Sequence, residues 1–143
     1  MSGVKLFEIL FEEVSSPPKP SKRDLIDALE MAKESYYEDG LEDKTLKDFE
    51  LEYLGLLSVD ELSNYGDLSS WMEDIEDEDD MRRFRGDEWF ERIDGFYNKN
   101  GYVPPIVIVE GDNFVDIGDG RGRVTYANWK GIPLHVYKLK VKQ

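Results

Sequence analysis

Apolar positions along this chain recur at helical spacing in two stretches and at strand-like spacing in four. Leu25, Leu29, Ala32 and Tyr36 follow one another at intervals of four, three and four, the signature of one helix face. Ser21 stands ahead of them as an N-cap, with Asp24 at the capping-box position, and Asp39-Gly40 offers a stop. A helix is therefore predicted over roughly 22–38. Trp89, Ile93 and Phe96 share a face, with Phe90 and Tyr97 beside it, which predicts a second helix from Asp87 to Lys99 closed by Asn100-Gly101. The segments 51–59, 106–109, 114–117 and 132–139 read as strands. In the last of these Leu134 and Val136 share one face, and His135 and Tyr137 the other. Ser58 with Glu61 predicts a short capped helix at 59–65, and Val124 to Trp129 another, closed by Gly131. Residues 4–14 are apolar-rich, and their periodicity does not separate strand from helix. Ser15 to Pro20 is a break.

Helices interleaved with short strands give an α+β fold class, a small mixed sheet with packed helices. Residues 1–45 read as an N-terminal extension with one helix, and 46–143 as the domain proper. No internal repeat is visible. The 7 Phe, 8 Tyr and 3 Trp among 143 residues are enough for a real core.

Charge changes the picture of function. The chain carries 18 Lys and Arg against 32 Asp and Glu, a net charge of −14. That excludes a generic basic nucleic-acid binder and disfavours direct nucleic-acid binding, because no positive field displaces counterions. The absence of cysteine excludes disulfides, thiol catalysis and thiolate metal sites. A single histidine excludes histidine-cluster metal sites and argues against histidine-dependent triads. No apolar run approaches a membrane span, and the first residues do not read as a signal peptide, so a cytoplasmic protein is expected.

The charge is uneven. Residues 1–100 hold 28 acids and 12 bases, whereas 101–143 hold 4 acids and 6 bases. Glu73, Asp74, Glu76, Asp77, Glu78, Asp79 and Asp80 form a block expected as a solvated loop. Its spacing lacks the central glycine and distal glutamate of a calcium loop. Arg82, Arg83 and Arg85 follow at once. The two runs either neutralise each other, or the acids cover a basic site when no ligand is present.

The segment Gly118-Asp119-Gly120-Arg121-Gly122-Arg123 carries the strongest functional signal. Three glycines in five residues permit close backbone approach to a ligand. Two guanidiniums and the start of a helix at one place suit an anion such as phosphate. The plainer alternative is that Arg121 and Arg123 pair with Asp116 and Asp119 on the surface. Trp71, Trp89 and Trp129 read as core or rim anchors, and His135 as a strand residue, half-buried or exposed.

A wider order of pieces resembles the ParB/sulfiredoxin-like superfamily over roughly residues 50–140. An arginine (Arg83 or Arg85) precedes the Asp87 helix. Gly101-Tyr102-Val103-Pro104-Pro105-Ile106-Val107-Ile108 matches the family's glycine-to-proline entry into a strand. Gly118 to Arg123 matches its D-G-x-x-R loop, and Gly131-Ile132-Pro133-Leu134 its entry to the last strand. The resemblance implies a small ParB-like nucleotide-binding domain whose loop cradles phosphates, with NTP hydrolysis or phosphotransfer as the associated chemistry. It implies phosphate contacts from Gly118, Gly120, Arg121, Gly122 and Arg123, helped by Arg83 or Arg85, with ATP or CTP and Mg²⁺ as ligands. It places Asp119 and, more loosely, Glu61 as catalytic acids. Sulfiredoxin activity is excluded for want of the loop cysteine. The position before the last arginine is often His or Arg in relatives; here it is Gly122, which removes one phosphate contact. Partition proteins continue into a helix-turn-helix, whereas this sequence closes about 20 residues after the loop, so a complete partition protein is not expected.

The rival reading is a non-catalytic acidic interaction protein that keeps the fold and has lost the chemistry. Its acidic face would bind a basic protein partner or imitate nucleic acid, as a phage or mobile-element accessory factor does.

Overall fold

The computed structural model describes residues 17–35, 41, 43–111, 115–117 and 120–142. A four-stranded mixed sheet carries helices on both faces, so the α+β class holds. Its strands are β1 (Phe49–Leu57), β2 (Ile106–Glu110), β3 (Val115–Asp116) and β4 (Leu134–Val141), in the order β1-β4-β2-β3. β4 is antiparallel to β1 and parallel to β2, and β3 is antiparallel to β2. The helices are α1 (Lys22–Ser35), α2 (Val59–Leu62), α3 (Glu78–Arg85), α4 (Asp87–Asn100) and α5 (Arg121–Lys130).

The two faces of β4 separate two cores. Tyr137 and Leu139 join Val107, Val109 and Phe49 beneath Ala28, Leu29 and Ala32 of α1. Leu29 and Ala32 of the predicted helix face are therefore packed on the sheet with Leu25 beside them, Tyr36 and the Asp39-Gly40 stop lie outside the described residues, and the Ser21 hydroxyl accepts the Asp24 N–H at 3.0 Å as expected of its cap. Leu134 and Val136 face the other way, into a core with Leu62, Met81, Phe90, Ile93, Val124 and Tyr126 from α2 to α5. β1 serves both cores because a bulge between Tyr53 and Gly55 shifts its register, which puts Leu57 on the α5 side. Gly101 and Gly131 end α4 and α5 in the left-handed region, at φ 80° and 75°, which a side chain there would strain.

Two expectations change. The acidic block is not a loop throughout: Asp77 caps α3, and Glu78, Asp79 and Asp80 form its first turn, with Arg82, Arg83 and Arg85 in its last. Acids at the positive end and bases at the negative end of a helix dipole are the stable arrangement. Arg82 pairs with Glu78 at 3.1 Å and Arg83 with Asp80, so much of the switch from acid to base is neutralised within the helix. Secondly, α5 starts at Arg121, not at Val124. Gly122 has a low helix propensity, which its packing against Trp89 and Arg85 overrides. Trp71 is fully buried, and Trp89 and Trp129 pack at the rim of the core, as read.

His135 lies on the α1 side of β4, with its Nδ1 2.8 Å from Tyr53 Oη and Tyr102 edge-on to its ring. Burial pushes the imidazole pKa below its ordinary 6.5. The unfolded chain then takes up the proton first. The stability this histidine contributes is complete above about pH 6.5 and declines as the pH falls below it. Urea unfolding at about pH 7 and about pH 5 should therefore show a steeper loss for the wild type than for His135→Gln. Equal losses would contradict the assignment.

Candidate anion site at the first turn of α5

Gly120 is the N-cap of α5, and its carbonyl accepts the Val124 N–H at 3.0 Å, the first full helical bond. Arg121 at the first helical position is exposed. Its backbone N–H and that of Gly122 have no acceptor within the helix, which is the condition under which a helix start meets an anion. Gly118 and Asp119, expected as a phosphate contact and a catalytic acid, lie outside the described residues.

Gly120 and Gly122, expected to admit a ligand, pack against neighbouring side chains. A Cβ on Gly120 would lie 3.1 Å from Ile106 Cγ2 and from Ile117 Cγ1. A Cβ on Gly122 would lie 2.7 Å from Trp89 Cζ2 and 3.2 Å from Arg85 Cζ. The bare Gly122 thus admits the indole of α4 and the guanidinium of α3 to the first turn of α5.

This resolves which upstream arginine approaches the turn. Arg85 arrives there, half-buried, its guanidinium 5.6 Å from the Trp89 ring centre. Its Nε and Nη2 donate to Glu73 Oε2 and Oε1 at 3.3 and 2.5 Å, a two-pronged ion pair. Arg83 is not brought to the site. It is exposed on the outside of α3 and paired with Asp80.

Arg123 is turned inwards. Its Nη1 donates to the Pro105 carbonyl at 2.7 Å and its Nη2 to Asp24 Oδ1 at 3.3 Å. The guanidinium therefore ties α5 to the entry of β2 and to the first turn of α1. Asp24, the acid paired with this arginine, stands 99 residues away in the chain, and Asp119, expected as one of its surface partners, lies outside the described residues. Positions 121 and 123 differ by about 200° around a helix, so the two side chains diverge.

Glu61, expected as a catalytic acid, is occupied locally. Its carboxylate accepts the Ser58 N–H, and its own N–H donates to the Ser58 hydroxyl, each at 3.1 Å. With Leu56 and Asp60 it lines a cleft of about 440 Å³ against Asn128, Gly131 and Ile132, at the C-terminal end of α5. A ten-residue helix is about 15 Å long, so Glu61 is not brought to the phosphate turn.

Several contributors were invisible in the sequence. The Thr125 hydroxyl donates to the Arg121 carbonyl at 2.8 Å and accepts the Glu73 N–H at 3.0 Å, which fixes the acidic segment to α5. Glu73 and Asp24 were indistinguishable among 32 acids, and no local pattern marks them as arginine partners. Neither family models, curated proteins nor solved structures yield a match to this chain. Among the described residues, no helix is long and apolar enough to cross a membrane.

Proposed function

We propose that this protein is a ParB-like domain that binds a nucleotide by its phosphates at the first turn of α5. The observation that carries the reading is the placement of Arg85. Relatives of the resembled family often hold a His or Arg side chain at the position of Gly122. Here the side chain is missing, and the Arg85 guanidinium sits against that glycine instead. Arg121 adds an exposed guanidinium on the same turn. Backbone N–H groups at a helix start and guanidiniums on or beside the same turn are the donor types that phosphate takes. Arg123 acts as a brace for the turn and not as a ligand contact. Mg²⁺ enters with ATP or CTP and neutralises part of the phosphate charge. Binding is the activity proposed. The acid left for a hydrolytic or transfer step is Asp119, since Glu61 stands at the other end of α5.

Calorimetric titration of all four nucleoside triphosphates and ADP with Mg²⁺ tests this. Saturable binding in the micromolar to sub-millimolar range is expected for ATP or CTP. No heat and no thermal shift with any of them would overturn it.

A second reading, the acidic interaction protein, is favoured by the internal pairing of Arg85 with Glu73 and of Arg123 with Asp24. Both guanidiniums are already matched by carboxylates, in a chain whose net charge is −14. That reading expects a basic partner whose capture collapses at high salt and is indifferent to Arg121→Ala.

A further inference from the structure

We propose that Glu73 is an internal stand-in for the ligand phosphate, a carboxylate that occupies Arg85 until a nucleotide displaces it. The inference rests on the nucleotide reading and adds a regulating contact to the same site. A carboxylate that meets the Nε and Nη2 edge of a guanidinium with two oxygens presents the same geometry as two oxygens of a phosphate. Glu73 does this to Arg85 at 3.3 and 2.5 Å, and Arg85 is the guanidinium that lies against Gly122. The pair is about a quarter exposed on each side, 28% and 27%, so the contact is open to competition from solvent.

The surroundings allow the carboxylate to leave while the frame stays. The Glu73 backbone is held by its N–H bond to Thr125 Oγ1, and Trp71, two residues earlier, is 2% exposed. Arg85 has a second contact that does not involve Glu73, its guanidinium lying 5.6 Å from the Trp89 ring centre. Rotation of the Glu73 side chain about its own torsions is then sufficient. The carboxylate moves into water, and a phosphate takes both guanidinium hydrogens. No backbone rearrangement is required. The acid block next to the arginines thereby acquires a role that solubility alone does not supply: its first member sets a threshold that only a multiply charged ligand crosses.

The test compares ATP with Mg²⁺, and separately inorganic pyrophosphate, on the wild type, Glu73→Gln and Glu76→Gln. Glu76 is an exposed acid three residues on, so its variant removes the same charge without touching Arg85. Glu73→Gln should bind both probes about fivefold more tightly, the equilibrium weight of a partly exposed ion pair, and Glu76→Gln should match the wild type. Wild-type binding with no gain in Glu73→Gln, or with equal gains in both variants, overturns the inference and leaves the nucleotide reading standing. No binding by any of the three removes the reading itself. Should Glu73→Gln not fold, the Arg85 Nε–H resonance of the unaltered protein decides. A large shift on pyrophosphate addition is expected, and amide shifts at 120–122 without any change at Arg85 would overturn the exchange of partners.

Discussion

Arg121→Ala should weaken nucleotide binding by about tenfold or more and leave the urea midpoint unchanged, whereas Arg123→Ala should do most of its damage to stability. Arg121 is exposed at the start of α5. Its removal takes one charge-assisted bond from a bound phosphate and little from the folded chain. Arg123 bonds to the Pro105 carbonyl and to Asp24. Truncating it leaves a carbonyl and a partly buried carboxylate without their partner, a loss of about 2–3 kcal/mol. It also loosens the brace between α1 and the turn, so binding should fall only secondarily. Urea unfolding and calorimetry on both variants separate the effects. Loss of binding in Arg123→Ala at full stability would make Arg123 a direct ligand contact and contradict the geometry assigned here.

Tyr126→Ala should be the most damaging single truncation on α5, at about 3–5 kcal/mol. Its ring is fully buried and lies 6.1 Å from Phe90, 6.3 Å from Tyr97 and 5.7 Å from Trp129, centre to centre. Its hydroxyl donates to Asp94 at 2.6 Å, joining α5 to α4. Burial and the Asp94 carboxylate push the phenol pKa above its ordinary 10, which favours the protonated donor. Tyr126→Phe keeps the ring and loses only that bond, and should cost about 1–2 kcal/mol. The difference between the two variants in urea midpoint isolates the ring. Similar losses in both would mean that the hydroxyl, not the packing, holds α4 against α5.

What the sequence disclosed follows from what is local. Helix faces, caps and glycine stops are encoded within a few residues, which is why Ser21, Ser58, Gly101 and Gly131 all mark ends found in the fold. The strand alternation at 134–137 likewise assigned both faces of β4. The start of α5 lies three residues ahead of the predicted Val124, since its glycine packs against Trp89 and Arg85, which arrive from other helices. Within the acidic block, Glu73 to Glu76 stay outside any helix, whereas Glu78 to Asp80 form a first turn because the helix dipole favours acids there, a gain that charge repulsion alone does not reveal. The anion site was legible as a place and not as a set of roles. Arg121 and Arg123 are two residues apart in sequence yet face opposite surroundings, and the carboxylates beside Arg85 and Arg123 stand 12 and 99 residues away. Separations of that kind leave no periodicity to read.

The most direct test of the site is a ¹⁵N-resolved NMR titration of the full chain with ATP and Mg²⁺. The largest shifts are expected at the amides of Gly120, Arg121 and Gly122 and at Arg85 Nε–H, with residues 58–61 and 128–131 unmoved. Saturating nucleotide that leaves residues 120–122 unperturbed, or that moves only the cleft around Glu61, would contradict the anion site.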